Sequence, residues 1–276
     1  METIVKENKM ATMPVNKLLI SMAVPMMISM LVQALYNIVD SVFVAKYSAS
    51  CMTAISLVFP IQTLMIAGGA GIGVGMNALL SRFLGAKDKD NVNKTAFNGI
   101  TIYIICYLIF LFVGLFVAEP FMKTQASSAL IADEGSIYLK IVCCCSFGMF
   151  TQFCFERMLQ ATGRTIYSMY TQMTGAVINI ILDPILIFGL FGAPRMGMAG
   201  AAIATVVGQC CAGLLALFFN LKVNKDDIHL RKIKGFKPSG RAIAMILYIG
   251  IPSIIMQSIG SIMVLGINTI LSHMNI

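Results

Sequence analysis

The run LLISMAVPMMISMLVQALYNIVDSVFVA, residues 18–45, decides the fold class: it is apolar over more than a bilayer's width yet holds one charged side chain, Asp40. A helix needs about 20 apolar residues to cross the hydrocarbon core. A second run, TIYSMYTQMTGAVINIILDPILIFGLFGAP at residues 165–194, likewise carries a single charge, Asp183. A carboxylate at the bilayer centre costs about 2.5–3.5 kcal/mol on insertion scales, and such residues are kept mostly where they face a cavity and bind or carry something. The pair makes the chain a transporter candidate rather than a passive anchor.

The rest of the chain agrees with a membrane reading. Of 276 residues, 58% are hydrophobic and 12% charged, with mean hydropathy +0.85; soluble domains carry about 25% charged residues. Seven spans are predicted at 18–45, 51–81, 95–118, 137–155, 165–194, 196–221 and 242–272, so the chain reads as an all-α polytopic membrane protein. The net charge of +8 follows topology, because 16 of the 20 Lys and Arg fall in segments 1–17, 82–94, 156–164 and 222–241. The positive-inside rule then puts the amino terminus in the cytoplasm. A nucleic-acid surface would need a basic exposed face with interleaved aromatics, and none is present. The eight cysteines include no C-x-x-C pair and there are two histidines, so no metal site is expected. The small thiols read as packing residues.

Residues 1–221 read as a six-helix lobe, 222–241 as a basic cytoplasmic linker, and 242–276 as the first helix of a second, incomplete lobe. Val24-Pro25-Met26-Met27-Ile28 in helix one matches Ile251-Pro252-Ser253-Ile254-Ile255 in helix seven. Equal orientation after six helices implies a parallel repeat.

Polar residues inside the spans fall on common helix faces. In helix one Gln33, Asn37 and Asp40 are spaced by four and three, in helix five Gln172, Asn179 and Asp183 by seven and four, and in helix six Thr205 and Gln209 by four. Asp40 and Asp183 are expected at similar depth. Burial and mutual repulsion oppose two charges there, so the pair can hold a proton near neutral pH; with amide and hydroxyl oxygens it can equally ligate an alkali cation. The competing reading is interhelical hydrogen bonding. Pro25 cannot donate a backbone bond and can bend helix one, as a hinge or a static kink. The segment 67–75, AGGAGIGVG, lacks the Lys-Ser/Thr ending of a phosphate loop. Its Gly69/Gly73 and Gly71/Gly75 pairs fit close helix packing. No nucleophile–base arrangement supports an enzyme.

Several motifs resemble the prokaryotic multidrug and toxic compound extrusion family: Val24-Pro25 with residues 40–45 (DSVFVA), Gly71-Ile72-Gly73 through Asn77 to 81–86 (SRFLGA), 159–164 (LQATGR), Asn179 to 183–189 (DPILIFG), and 197–205 (GMAGAAIAT). The resemblance implies two six-helix bundles around a central cavity and cation-coupled (H+ or Na+) antiport of drugs or organic cations across the plasma membrane, with no other cofactor. It implies Asp40, Asn179, Asp183 and Thr205 as the ion site and Pro25 as the hinge, with Gln33, Asn37, Gln172 and Gln209 as cavity candidates. The missing second lobe, or a second copy, would be needed.

Two rival readings remain. A lipid-linked oligosaccharide flippase of the same fold would need basic residues in the cavity, and the predicted spans one to six hold none apart from peripheral Lys140. An inactive half-transporter fragment is the other. Lys140 is expected to snorkel at an outer helix end.

Overall fold

The computed structural model describes residues 13–126, 128–229 and 238–273. In chain order the α-helices are α1 Val15–Tyr47, α2 Ala49–Gly85, α3 Lys89–Phe112, α4 Ala118–Gln125, α5 Ala129–Cys144, α6 Phe147–Ala161, α7 Thr165–Phe188, α8 Met198–Val223 and α9 Gly240–His273. A π-helical turn, Val113–Val117, joins α3 to α4 without a break. Among the described residues six runs are long and apolar enough to cross a membrane, or seven if α5 and α6, bent by 45°, together form one span. The chain is a multi-pass membrane protein. Residues 230–237, with Arg231, Lys232, Lys234 and Lys237 of the expected linker, lie outside the described residues.

Local signals account for the ends. Ser48 caps α2 by accepting from the Ser50 N–H at 3.2 Å, and Asp88 caps α3 by accepting from the Asn91 N–H at 3.1 Å. The backbone bond and the Asn91 side chain hold the Asp88 carboxyl below its ordinary value. Gly189 ends α7 in the left-handed region, φ 75°, where a side chain would be strained. Arg195 then stacks 5.1 Å from the Tyr47 ring centroid.

Two boundaries differ from the sequence reading. Much of the stretch 119–136 between the third and fourth predicted spans is helical, and Glu119 there accepts from Lys123 at 2.7 Å and Lys140 at 2.6 Å. Lys140 is therefore ion-paired rather than simply snorkelling. The fourth span does not stop at 155: α6 runs to Ala161 and carries Glu156 and Arg157 into the bundle.

The glycine-rich stretch of α2 faces two ways. A Cβ on Gly69 would lie 2.9 Å from Phe153 and one on Gly73 2.7 Å from Arg157, both on α6. Gly71 and Gly75 instead face α9, where Gly250 approaches so closely that its own Cβ would lie 2.8 Å from the Gly71 carbonyl oxygen. Helix-packing glycines, expected from the G-x-x-x-G spacing, thus serve two partners. α7 and α8 cross at Gly175 and Gly208 in the same way. At the end of the bundle bearing the basic loops, Arg164 pairs with Asp227 at 3.0 Å. Buried Asn224 there takes the Thr162 hydroxyl at 2.8 Å and donates to Asn220 at 2.8 Å.

Candidate functional site

α1 packs chiefly along α7, and α7 along α8. This brings together side chains distant in sequence around a cavity of about 440 Å³. The Asp40 and Asp183 carboxyl groups lie close enough to act on one another. Asp183 is fully buried, while Asp40 lines the cavity. Oδ1 of each is buried with no donor from the protein. A carboxylate oxygen in that state is costly, and a shared proton or a bound cation would offset that cost.

Asn179 and Thr205 complete this corner; they are 2% and 5% exposed. In the orientation that satisfies both ends of its amide, Asn179 donates to Asp183 Oδ2 at 3.1 Å and accepts from the Thr205 N–H at 3.1 Å. The Thr205 hydroxyl donates to the Ala201 carbonyl at 3.0 Å, leaving its lone pairs available. All four residues expected at an ion site are therefore contiguous. Gln33, Asn37, Gln172 and Gln209 line the same cavity. Gln33 and Asn37 are exposed on the open face of α1, whereas Gln172 is engaged with Glu156. Pro25 is buried within an unbroken α1, and the Ser29 hydroxyl donates to its carbonyl at 2.9 Å. Its missing N–H leaves the carbonyl one turn earlier without the usual helix partner.

Three cavity residues were not anticipated. Tyr138, 2% exposed on α5, accepts from Gln62 of α2 at 3.3 Å and lines the cavity beside Asp40 and Thr205. Glu156 of α6 is 2% exposed. Its Oε1 lies 3.0 Å from Gln152 Nε2 and 2.8 Å from the Thr171 hydroxyl, and its Oε2 accepts from Gln172 at 2.8 Å. Arg157 donates to Gln160 at 2.8 Å and also lines the cavity. The expectation that spans one to six hold no interior basic residue apart from Lys140 is thereby overturned. Glu156-Arg157, the first charged pair after the apolar run, lies within α6 rather than at its end. The signal was available: Gln152, Glu156 and Gln160 recur every four residues, as one helix face does.

Comparison with known proteins places this geometry. The MatE family model matches residues 25–185, more than half of the chain. The multidrug export protein MepA of Staphylococcus aureus (strain MRSA252) is 31% identical over 271 residues, covering 94% of this chain and 56% of that protein. A solved MATE structure in the straight conformation superposes with a TM-score of 0.82 at 26% identity, covering 91% of this chain and 55% of that one. A MATE structure in the bent conformation gives a TM-score of 0.76 at 29% identity, with 88% and 53% covered. The chain spans about half the length of the relatives it matches. Sequence match, fold and motif placement agree: this chain belongs to the multidrug and toxic compound extrusion family.

Proposed function

We propose that the chain serves cation-coupled antiport, with H+ or Na+ driving export of drugs or small organic cations across the plasma membrane by alternating access, its amino terminus cytoplasmic. The observation that carries this reading is the Asp40–Asp183 pair, neighbouring carboxyl groups of which Asp40 lines the cavity and Asp183 is buried, each with one oxygen lacking a donor from the protein. An arriving proton or Na+ removes the repulsion between them. Asn179 and Thr205 supply further oxygens, the hard donors an alkali cation takes. Occupancy shifts the equilibrium of the bundle only through different affinity in its two states. Pro25, sitting in α1 below Asp40, provides the bend by which that difference reaches the cavity wall.

The cavity is open along α1, where Gln33 and Asn37 are exposed. A second lobe or a second copy of the chain closes it in this scheme, since alternating access needs two walls. Arg157 alone does not favour the flippase reading, because the carboxylate of Glu156 beside it opposes a pyrophosphate. The test is ethidium export from proteoliposomes driven separately by a pH gradient and by a Na+ gradient. Asp40→Asn and Asp183→Asn are expected to abolish coupling to the effective ion. Gradient-driven export that survives both substitutions would overturn the reading.

A further inference from the structure

Glu156 is buried with a negative charge to satisfy and no cation of the protein placed on it. None of the ion pairs among the described residues involves Glu156 or Arg157. Arg157 is turned aside: its guanidinium donates to Gln160, and its stem packs over Gly73 beside the Tyr103 hydroxyl. The groups touching Glu156 are neutral, namely Gln152 on its own helix and Thr171 and Gln172 on α7. A buried carboxylate held only by neutral donors is stabilised further by a proton or by an incoming cation.

The hydroxyl of Thr171 accommodates either state. It has one proton and two acceptors, Glu156 Oε1 at 2.8 Å and the Ser168 carbonyl at 2.7 Å. With Glu156 ionised, Thr171 donates to Oε1. With Glu156 protonated, Oε1–H donates to Thr171, whose own proton turns to the Ser168 carbonyl. One hydroxyl rotation therefore exchanges the two states without moving a heavy atom.

This carboxyl is remote from the aspartate corner. Gln172, its partner, precedes Asp183 by 11 residues on α7, about 16 Å at 1.5 Å per residue. Both line or adjoin one cavity, whose wall near Glu156 includes Met149, Phe153 and Gln209. The charged and titratable neighbours acting on Glu156 are Arg157 on α6 and Tyr103 on α3. The cavity wall on α7 and α8 presents the neutral Gln172 and Gln209, with Tyr36 and Asp40 on α1 further along and Asp183 buried next to Asp40.

We propose that Glu156 is a second proton-exchanging carboxyl of the cavity, at which a proton and the cationic nitrogen of an exported molecule compete. The inference rests on the export reading for its ligand class. The step is balanced: the Glu156 O–H bond breaks, the proton leaves to cavity water, and one monovalent organic cation takes its place against the carboxylate. The Gln152 and Gln172 amides turn from the carboxylate to admit it.

The test is equilibrium binding of ethidium to the purified chain in nanodiscs across pH 5–9, by fluorescence polarisation. The Asp40→Asn/Asp183→Asn double variant removes the other carboxyls and is expected to keep an affinity that rises with pH, approaching tenfold per unit. Adding Glu156→Gln is expected to flatten that dependence. A double variant with no pH dependence, or a dependence unchanged by Glu156→Gln, overturns the proposal and leaves the export reading standing. Wild-type chain that binds no ethidium at any pH overturns both. Should Glu156→Gln fail to fold, Glu156→Asp in the same background withdraws the carboxyl by one methylene. A shifted midpoint with the slope retained then supports the proposal, and an unaltered profile overturns it.

Discussion

Replacing Gly75 by alanine tests how α9 is held. Its Cβ would overlap the Ile246 carbonyl oxygen and lie 3.0 Å from the Ile246 carbonyl carbon and 3.2 Å from the Gly250 nitrogen. All three atoms are backbone, so no side-chain rotation relieves the overlap and the helices must separate. Gly250→Ala meets the same obstacle from the other side, with its Cβ 2.8 Å from the Gly71 oxygen. Overpacking of a closed contact costs about 1–3 kcal/mol. At about 2–4 °C per kcal/mol for a chain of this size, that lowers the unfolding midpoint by about 2–12 °C. Gly85→Ala is the control: nothing lies within 4 Å of its Cβ, so alanine is expected to stabilise by about 0.5–1 kcal/mol through chain entropy. The chain has no Trp, but Cys51, Cys143 and Cys154 are 1–2% exposed. A fluorogenic thiol dye therefore reports unfolding in detergent. If Gly75→Ala and Gly250→Ala melt with the wild type while Gly85→Ala rises, the α2–α9 crossing is not closed as described.

Other outcomes follow from particular contacts. Asn224→Ala removes a buried amide that takes bonds from Thr162 and Arg164 and donates to Asn220, with an expected loss of about 1–3 kcal/mol in the same melting assay. Asp227→Ala, removing a partly exposed ion pair, should cost at most about 1 kcal/mol and lose its effect in high salt. Pro25→Ala restores the missing N–H in α1; under the hinge reading it preserves ethidium binding but abolishes gradient-driven export, and unimpaired export would mark a static kink. The Asp88 carboxyl, held below its ordinary value by its bonds to Asn91, stabilises the start of α3 above the ordinary carboxylate range, and that contribution is lost as pH falls through its lowered value. Protection of the Asn91 amide, taken relative to its intrinsic exchange rate at each pH, should accordingly fall on acidification, and Asp88→Ala should remove it at neutral pH.

The apolar spans as a class and the two aspartates within them were legible in the chain itself, because apolar length and charge depletion are local properties that the bilayer reads directly. Helical periodicity also put Gln33, Asn37 and Asp40 on one face, and Asn179 with Asp183 on another. Which faces meet is a different matter. Only the packing of α1 on α7 makes neighbours of Asp40 and Asp183, and only the α7–α8 crossing at Gly175 and Gly208 lets Asn179 reach the Thr205 backbone. The two directions of the α2 glycines, towards α6 and towards α9, follow from helices whose separation along the chain carries no record of contact. Glu156 shows the limit most plainly. As a charged residue beside an arginine it resembled the end of a span, since local sequence rules treat charge as a mark of water. The bend between α5 and α6 and the partners on α7 place it inside, where three polar side chains do the work of solvent.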